Sequence, residues 1–70
     1  MKLAEIQREY ERILHSNKSD HDKTMALSGL MSIMEGPPFN VPMLRNPEWE
    51  KENKKVRAMY RKIARSRIFD

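Results

Sequence analysis

The first regular hydrophobic pattern of the chain covers residues 2–16. Its apolar positions recur at intervals of three and four residues, which places them along one side of an α-helix. These positions are Leu3, Ile6, Tyr10, Ile13 and Leu14. Charged residues of both signs occupy the other side, and pairs such as Glu9 and Arg12 have the i, i+3 spacing that supports a solvated helix face. The pattern predicts a first amphipathic helix over residues 2–16.

The second segment, residues 19–35, has the widest apolar face. Ser19 or Asp20 suits the N-cap, where a side-chain oxygen accepts a bond from a free backbone N–H, and Gly36 before two prolines ends the helix. The apolar face contains Ala26, Leu27, Leu30, Met31, Ile33 and Met34. This face predicts the most buried helix, in contact with both others. Gly29 lies at its edge and costs about 1 kcal/mol relative to Ala, so we expect a neighbouring helix to approach closely there.

The third segment, residues 46–67, separates apolar from charged positions most sharply. Asn46 suits the N-cap and Pro47 the first helical position. The apolar stripe contains Trp49, Val56, Met59, Tyr60 and Ile63. The candidate basic face contains Lys51, Lys54, Lys55, Arg57, Arg61, Lys62 and Arg65. The pattern predicts one continuous helix whose apolar side completes the core, with Glu50 and Lys54 paired at i, i+4.

Residues 37–47 connect the second and third helices and show neither helical nor strand periodicity. They hold all four prolines of the chain, which predicts a loop. The loop nevertheless contains four large hydrophobic residues, Phe39, Val41, Met43 and Leu44. The favoured interpretation is an ordered crossing segment that lays these side chains over the helices. The alternative is an exposed apolar recognition loop, which makes the four residues a candidate partner-binding site.

Together these segments predict an all-α fold with a single domain over residues 1–70. We expect a small three-helix bundle in which the first two helices form a close antiparallel hairpin, because their connection is short. The proline-rich apolar loop then leads to the basic amphipathic C-terminal helix. Ile68 and Phe69 lie off the main stripe, so they either cover a helix end or face a partner. A chain of 70 residues without cysteine is near the lower limit for independent folding, which leaves a homodimer open.

Catalytic and metal chemistry find little support in the sequence. There is no cysteine nucleophile, and the only glycines are Gly29 and Gly36, so no glycine-rich loop can cradle a phosphate. Residues 19–22 (SDHD) gather two carboxylates and an imidazole, but their spacing matches neither an EF-hand nor a zinc motif. Helix capping explains both aspartates. We therefore expect no enzyme activity, no cofactor and no metal.

The charge of the chain is concentrated in its last third. Residues 47–70 hold eight basic and four acidic residues, so their net charge of +4 equals that of the whole chain. Such asymmetry predicts an anionic partner, whether an acidic protein surface, nucleic acid or lipid headgroups, although a solvated helix face looks the same. We expect no membrane partner, because the apolar stripe of the helix would have to leave the core to lie on a bilayer. Nucleic acid is the less favoured partner, because a long connection precedes the helix and side chains that read base edges are scarce.

These observations favour a small non-enzymatic binding or regulatory protein that acts through protein–protein contacts. The alternative function is nucleic-acid binding through the candidate basic face of the C-terminal helix. Residues 1–12 carry charges every few positions, so they predict neither a signal peptide nor a membrane span. The absence of cysteine fits a reducing compartment, and we expect a cytoplasmic protein.

Overall fold

The computed structural model describes residues 2–67, and these residues form an all-α fold with four helices. The helices are α1 (Leu3–Leu14), α2 (Asp20–Glu35), α3 (Pro47–Glu52) and α4 (Lys54–Ser66). α2 packs against both α1 and α4, and its contact with α4 is the more extensive. The predicted all-α class is confirmed, and α1, α2 and α4 form the predicted three-helix arrangement. Ile68 and Phe69 lie outside the described residues.

The predicted third helix is in fact two helices, because the backbone leaves the helical conformation at Asn53. This residue has φ −127° and ψ 46°. Its backbone N–H and its side-chain amide both donate to the carbonyl oxygen of Trp49, each at 2.9 Å. Its own carbonyl oxygen accepts the N–H of Arg57 at 2.9 Å and so begins α4. The prediction of one continuous helix over residues 46–67 was therefore wrong at Asn53.

Both predicted helix starts have an N-cap, and Ser19 rather than Asp20 caps α2. The hydroxyl of Ser19 accepts the backbone N–H of Asp22 at 3.2 Å at the start of α2. The side-chain oxygen of Asn46 accepts the N–H of Trp49 at 3.1 Å at the start of α3. Each cap satisfies a backbone donor that has no partner within the helix, which typically stabilises a helix by about 1 kcal/mol.

The core lies where α1, α2 and α4 meet. The buried hydrophobic residues of the described chain are Ile6, Tyr10, Leu27, Leu30, Met31, Met34, Val41, Met59 and Ile63. α2 supplies more of them than any other element, as its wide apolar face predicted. Trp49, Val56 and Tyr60 from the third predicted stripe are partly buried against this cluster. Burial of each large side chain contributes about 1.5–3 kcal/mol, so α4 is essential to the fold.

The outer side of α2 differs from the prediction. Ile33, expected in the buried face, is exposed, and Gly29 is exposed beside it. Within the described chain, no atom beyond the neighbouring backbone lies within 4 Å of the position that a Cβ at Gly29 would occupy. The expected close approach of another helix to Gly29 was therefore wrong. The apolar face of α2 is simply wider than the area that α1 and α4 cover.

Gly29→Ala is expected to raise the free energy of unfolding by about 0.5–1 kcal/mol. Alanine loses less backbone entropy in a helix than glycine does, and the added methyl group meets open space. Urea unfolding followed by circular dichroism measures the change. Ser32→Ala, at another exposed position of α2, is expected to gain less, because serine already has a better helix propensity than glycine. A loss of stability in Gly29→Ala would contradict the open space seen at this position.

Candidate partner-binding groove

The proline-rich loop is divided between buried and exposed positions. Val41 is only 7% exposed, and its N–H donates to the carbonyl oxygen of Met34 at 3.0 Å. Phe39 is partly buried against the same core. By contrast, Met43 is 92% exposed and Leu44 is 83% exposed. The structure thus buries Val41 in the core, packs Phe39 partly buried against it and leaves the other two hydrophobic residues on the surface.

The exposed part of the loop lines an open groove beside α4, here called the loop–α4 groove. Its volume is about 190 Å³. Its apolar lining includes Met43, Leu44, Trp49 and Tyr60. Its charged lining consists of Arg45, Glu50, Arg57 and Arg61. The groove therefore combines an apolar interior with arginine side chains, and it is built from the loop, α3 and α4.

The break at Asn53 also determines how the charges of the groove are paired. Glu50 contacts Arg57, with 3.0 Å between the carboxylate Oε1 and the Nε of the guanidinium. A longer distance of 3.9 Å separates its Oε2 from the Nε of Arg45. The predicted pairing of Glu50 with Lys54 was wrong, because the interruption of the helix removes the i, i+4 geometry. Glu50 instead links α3 to α4 and to the loop.

The groove keeps a positive charge despite this pairing. Among residues 2–67, three arginines and one glutamate line it, which gives this lining a formal charge of +2. The charge of Arg57 is largely matched by Glu50. Arg61 is exposed, and the side chain of Arg45 is 82% exposed with only the longer contact to Glu50. Arg45 and Arg61 are therefore the cations that an incoming anionic group would meet.

The rest of the candidate basic face does not line this groove. Its other members are Lys51, Lys54, Lys55, Lys62 and Arg65. Lys51 and Lys54 line a neighbouring depression where α3 meets α4, together with Arg57 of the groove, whereas Lys55 and Lys62 line another between α1 and α4. The Nζ of Lys62 also lies 5.3 Å from the ring centroid of Tyr10, within the range of a cation–π contact. The predicted face thus extends beyond the groove over adjoining surfaces, because Lys51 and Lys54 share one depression with Arg57 and another with Lys55.

Five groove residues were missing from the sequence-based site, namely Pro42, Arg45, Trp49, Glu50 and Tyr60. Periodicity assigned Trp49 and Tyr60 to the core, and both rings do pack against it while leaving part of their surface in the groove. Arg45 did give a signal in the sequence. It is the only charged residue of the loop and directly follows two large hydrophobes.

Tyr60 is held in place from the end of α2. Its hydroxyl donates to the Oε2 of Glu35 at 2.6 Å. Desolvation by burial, together with the hydrogen bond to the Glu35 carboxylate, raises the pKa of Tyr60 to about 12. The contact fixes the ring at the edge of the groove and ties α4 to α2.

This raised pKa predicts a loss of stability at alkaline pH. Between pH 10 and about 12 the folded protein retains the Tyr60 proton that the unfolded chain releases, so the free energy of unfolding falls as the pH rises through this range. Below pH 10 the contribution is fully present. We expect Tyr60→Phe to lose less stability over the same range. Urea unfolding of both proteins at several alkaline pH values measures this, and a difference that does not change with pH would contradict the prediction.

The carboxylates considered for metal binding lie at the start of a helix. Asp20 and Asp22 lie in the first turn of α2, where carboxylates favour the positive end of the helix dipole. Within residues 2–67, no group of three or more His, Asp or Glu side chains is arranged to hold a metal ion. In the same part of the chain, every helix is too short or too polar to cross a bilayer.

Comparison with known proteins gives no relative from which a function can be transferred. No family model matches the chain, and no curated protein or solved structure is significantly similar to it. Function is therefore inferred from the geometry and charge of the molecule itself.

Proposed function

We propose that this protein is a small non-enzymatic binding or regulatory protein that acts through protein–protein contacts at the loop–α4 groove. The observation that carries the proposal is the convergence of two features that the sequence singled out separately. Met43 and Leu44 from the apolar loop line the same groove as Arg57 and Arg61 from the basic face. Exposed apolar residues with a charged rim are typical of protein interaction sites.

The chemistry of the groove favours protein over nucleic acid as the partner. Met43 and Leu44 are aliphatic and highly exposed, and they gain about 25 cal/mol for each Å² that an apolar surface removes from water. Nucleic acid is gripped mainly through its phosphates. It would use exposed lysines such as Lys51 and Lys54, which lie outside the groove, and would be indifferent to the two aliphatic side chains.

Affinity capture from a native lysate, with and without nuclease, tests the proposal. The baits are the wild type, the double variant Met43→Ser/Leu44→Ser and the control Met25→Ser. Met25 is an exposed hydrophobic residue of α2 that does not line the groove, so it matches the chemical change. We expect the wild type and Met25→Ser to retain the same partner protein after nuclease treatment, and the double variant to lose it.

Three outcomes would contradict the proposal. Capture that survives Met43→Ser/Leu44→Ser would place the contact on another surface. Capture that nuclease abolishes, that falls steeply with salt and that Lys54→Glu weakens would support the alternative function, nucleic-acid binding through the basic face. Hydrolase or transferase turnover that stays with the protein through further purification would contradict the non-enzymatic class.

A further inference from the structure

We infer that the occupant of the loop–α4 groove is an acidic segment of a partner protein. The segment inserts one large apolar side chain into the groove and places carboxylates against Arg45 and Arg61. This inference rests on the proposed function and specifies the chemistry of the partner at the same site.

The size of the groove sets how much of the partner enters it. A cavity of about 150 Å³ accommodates a benzene molecule, so a groove of about 190 Å³ has room for one side chain of the size of Leu or Phe. Met43 and Leu44 from the loop, with Trp49 and Tyr60 from the helices, give that side chain apolar surroundings. The flexible thioether of Met43 can adjust to either shape. One apolar anchor residue therefore fills the interior.

The charges around the groove determine which partner residues can flank the inserted apolar side chain. Because Glu50 already pairs with Arg57 at 3.0 Å, the groove leaves Arg45 and Arg61 to meet the partner. A guanidinium presents its donors in a planar fork that matches a carboxylate. Acidic residues on the partner would thus complement the net charge of +2 on the groove lining. The net charge of +4 on the whole chain adds long-range attraction for the same partner.

Titration with synthetic peptides tests this inference directly. The probe is a capped nonapeptide with a central Phe, two Glu on each side of it and Ser elsewhere. Binding is followed by the fluorescence of Trp49, the only tryptophan of the chain, which lines the groove. We expect a saturable change, and affinity at least about tenfold lower when the Phe is replaced by Ser or all four Glu by Gln.

A matched pair of protein variants locates the binding. Arg61→Glu reverses a charge inside the groove, whereas Arg65→Glu makes the same reversal at an exposed position of α4 outside it. We expect about tenfold or greater loss of peptide affinity in Arg61→Glu and a much smaller loss in Arg65→Glu. Equal losses would mean that total charge alone drives the binding and would overturn the inference.

Other outcomes separate this inference from the proposed function. The inference that the partner segment is acidic would be contradicted by equal affinity for the Glu and Gln peptides. It would also be contradicted if the acidic probe showed no saturable binding up to millimolar concentration. If Met43→Ser/Leu44→Ser still abolished capture from lysate, the proposed function would remain supported although the inference of an acidic segment was wrong. Binding of a single-stranded oligodeoxynucleotide that survives this double substitution, with no binding of the peptide, would overturn both in favour of nucleic acid.

Discussion

Leu27→Ala is expected to lower the free energy of unfolding by about 2–5 kcal/mol. Leu27 is 1% exposed in the middle of α2, the helix that packs against both α1 and α4. Its truncation removes apolar contacts and leaves a cavity that the surrounding helices fill only in part. The core of a domain this small rarely supplies more than about 3–5 kcal/mol, so a large fraction of the variant should be unfolded at room temperature. Circular dichroism during urea titration measures the loss.

Leu44→Ala provides the matched control, because it makes the same chemical change at a position that is 83% exposed. We expect its free energy of unfolding to stay within about 0.5 kcal/mol of the wild type, as for most surface substitutions. If the two variants lost similar amounts of stability, the assignment of Leu27 to the core and of Leu44 to the surface would be wrong.

A second large effect is expected from Val41→Asp. Val41 is the buried anchor of the loop, and its N–H bonds to the carbonyl oxygen of Met34. Placing a carboxylate there without a partner costs several kcal/mol. The loop must therefore leave the core, or the whole domain unfolds. Thermal unfolding should show a much lower midpoint, and binding of the acidic peptide should be lost because the loop no longer lines the groove.

Met43→Asp makes a comparable change only two residues further along the same loop. Since Met43 is 92% exposed, the new carboxylate remains in water and stability should be almost unchanged. Peptide binding should nevertheless be lost, because the groove exchanges an apolar side chain for a charge that repels an acidic segment. A fall in stability as large as that of Val41→Asp would contradict the division of the loop into buried and exposed parts.

Much of the fold could be predicted from local sequence signals. The N-cap bonds of Ser19 and Asn46 join residues only three positions apart, so both partners of each bond can be recognised in a short stretch of sequence. The apolar stripes also identified most of the buried side chains, including Leu27 and Ile63, because a helix repeats every 3.6 residues regardless of its tertiary contacts.

The helix break, the exposure of Ile33 and the groove could not be predicted from hydrophobic periodicity, because they depend on other contacts. A helical pattern continues smoothly through Asn53, but asparagine has a low helix propensity, and its side-chain amide bonds to the carbonyl oxygen of Trp49 at the point where the backbone leaves the helix. Exposure of Ile33 reflects how far α1 and α4 extend over α2, which no pattern within α2 can reveal. The groove itself depends on the path of an irregular loop. The sequence could therefore identify several of its residues as candidates, but it could not predict that they line one groove.

The division of the loop also has an evolutionary consequence. Phe39 and Val41 hold the loop on the core, whereas Met43, Leu44 and Arg45 are exposed, so we expect substitutions at these three positions to change stability little. Mutations at the three outer positions can therefore accumulate without unfolding the domain. New binding preferences can arise there one substitution at a time, and the same three positions are the natural ones to randomise when this scaffold is used to select binders.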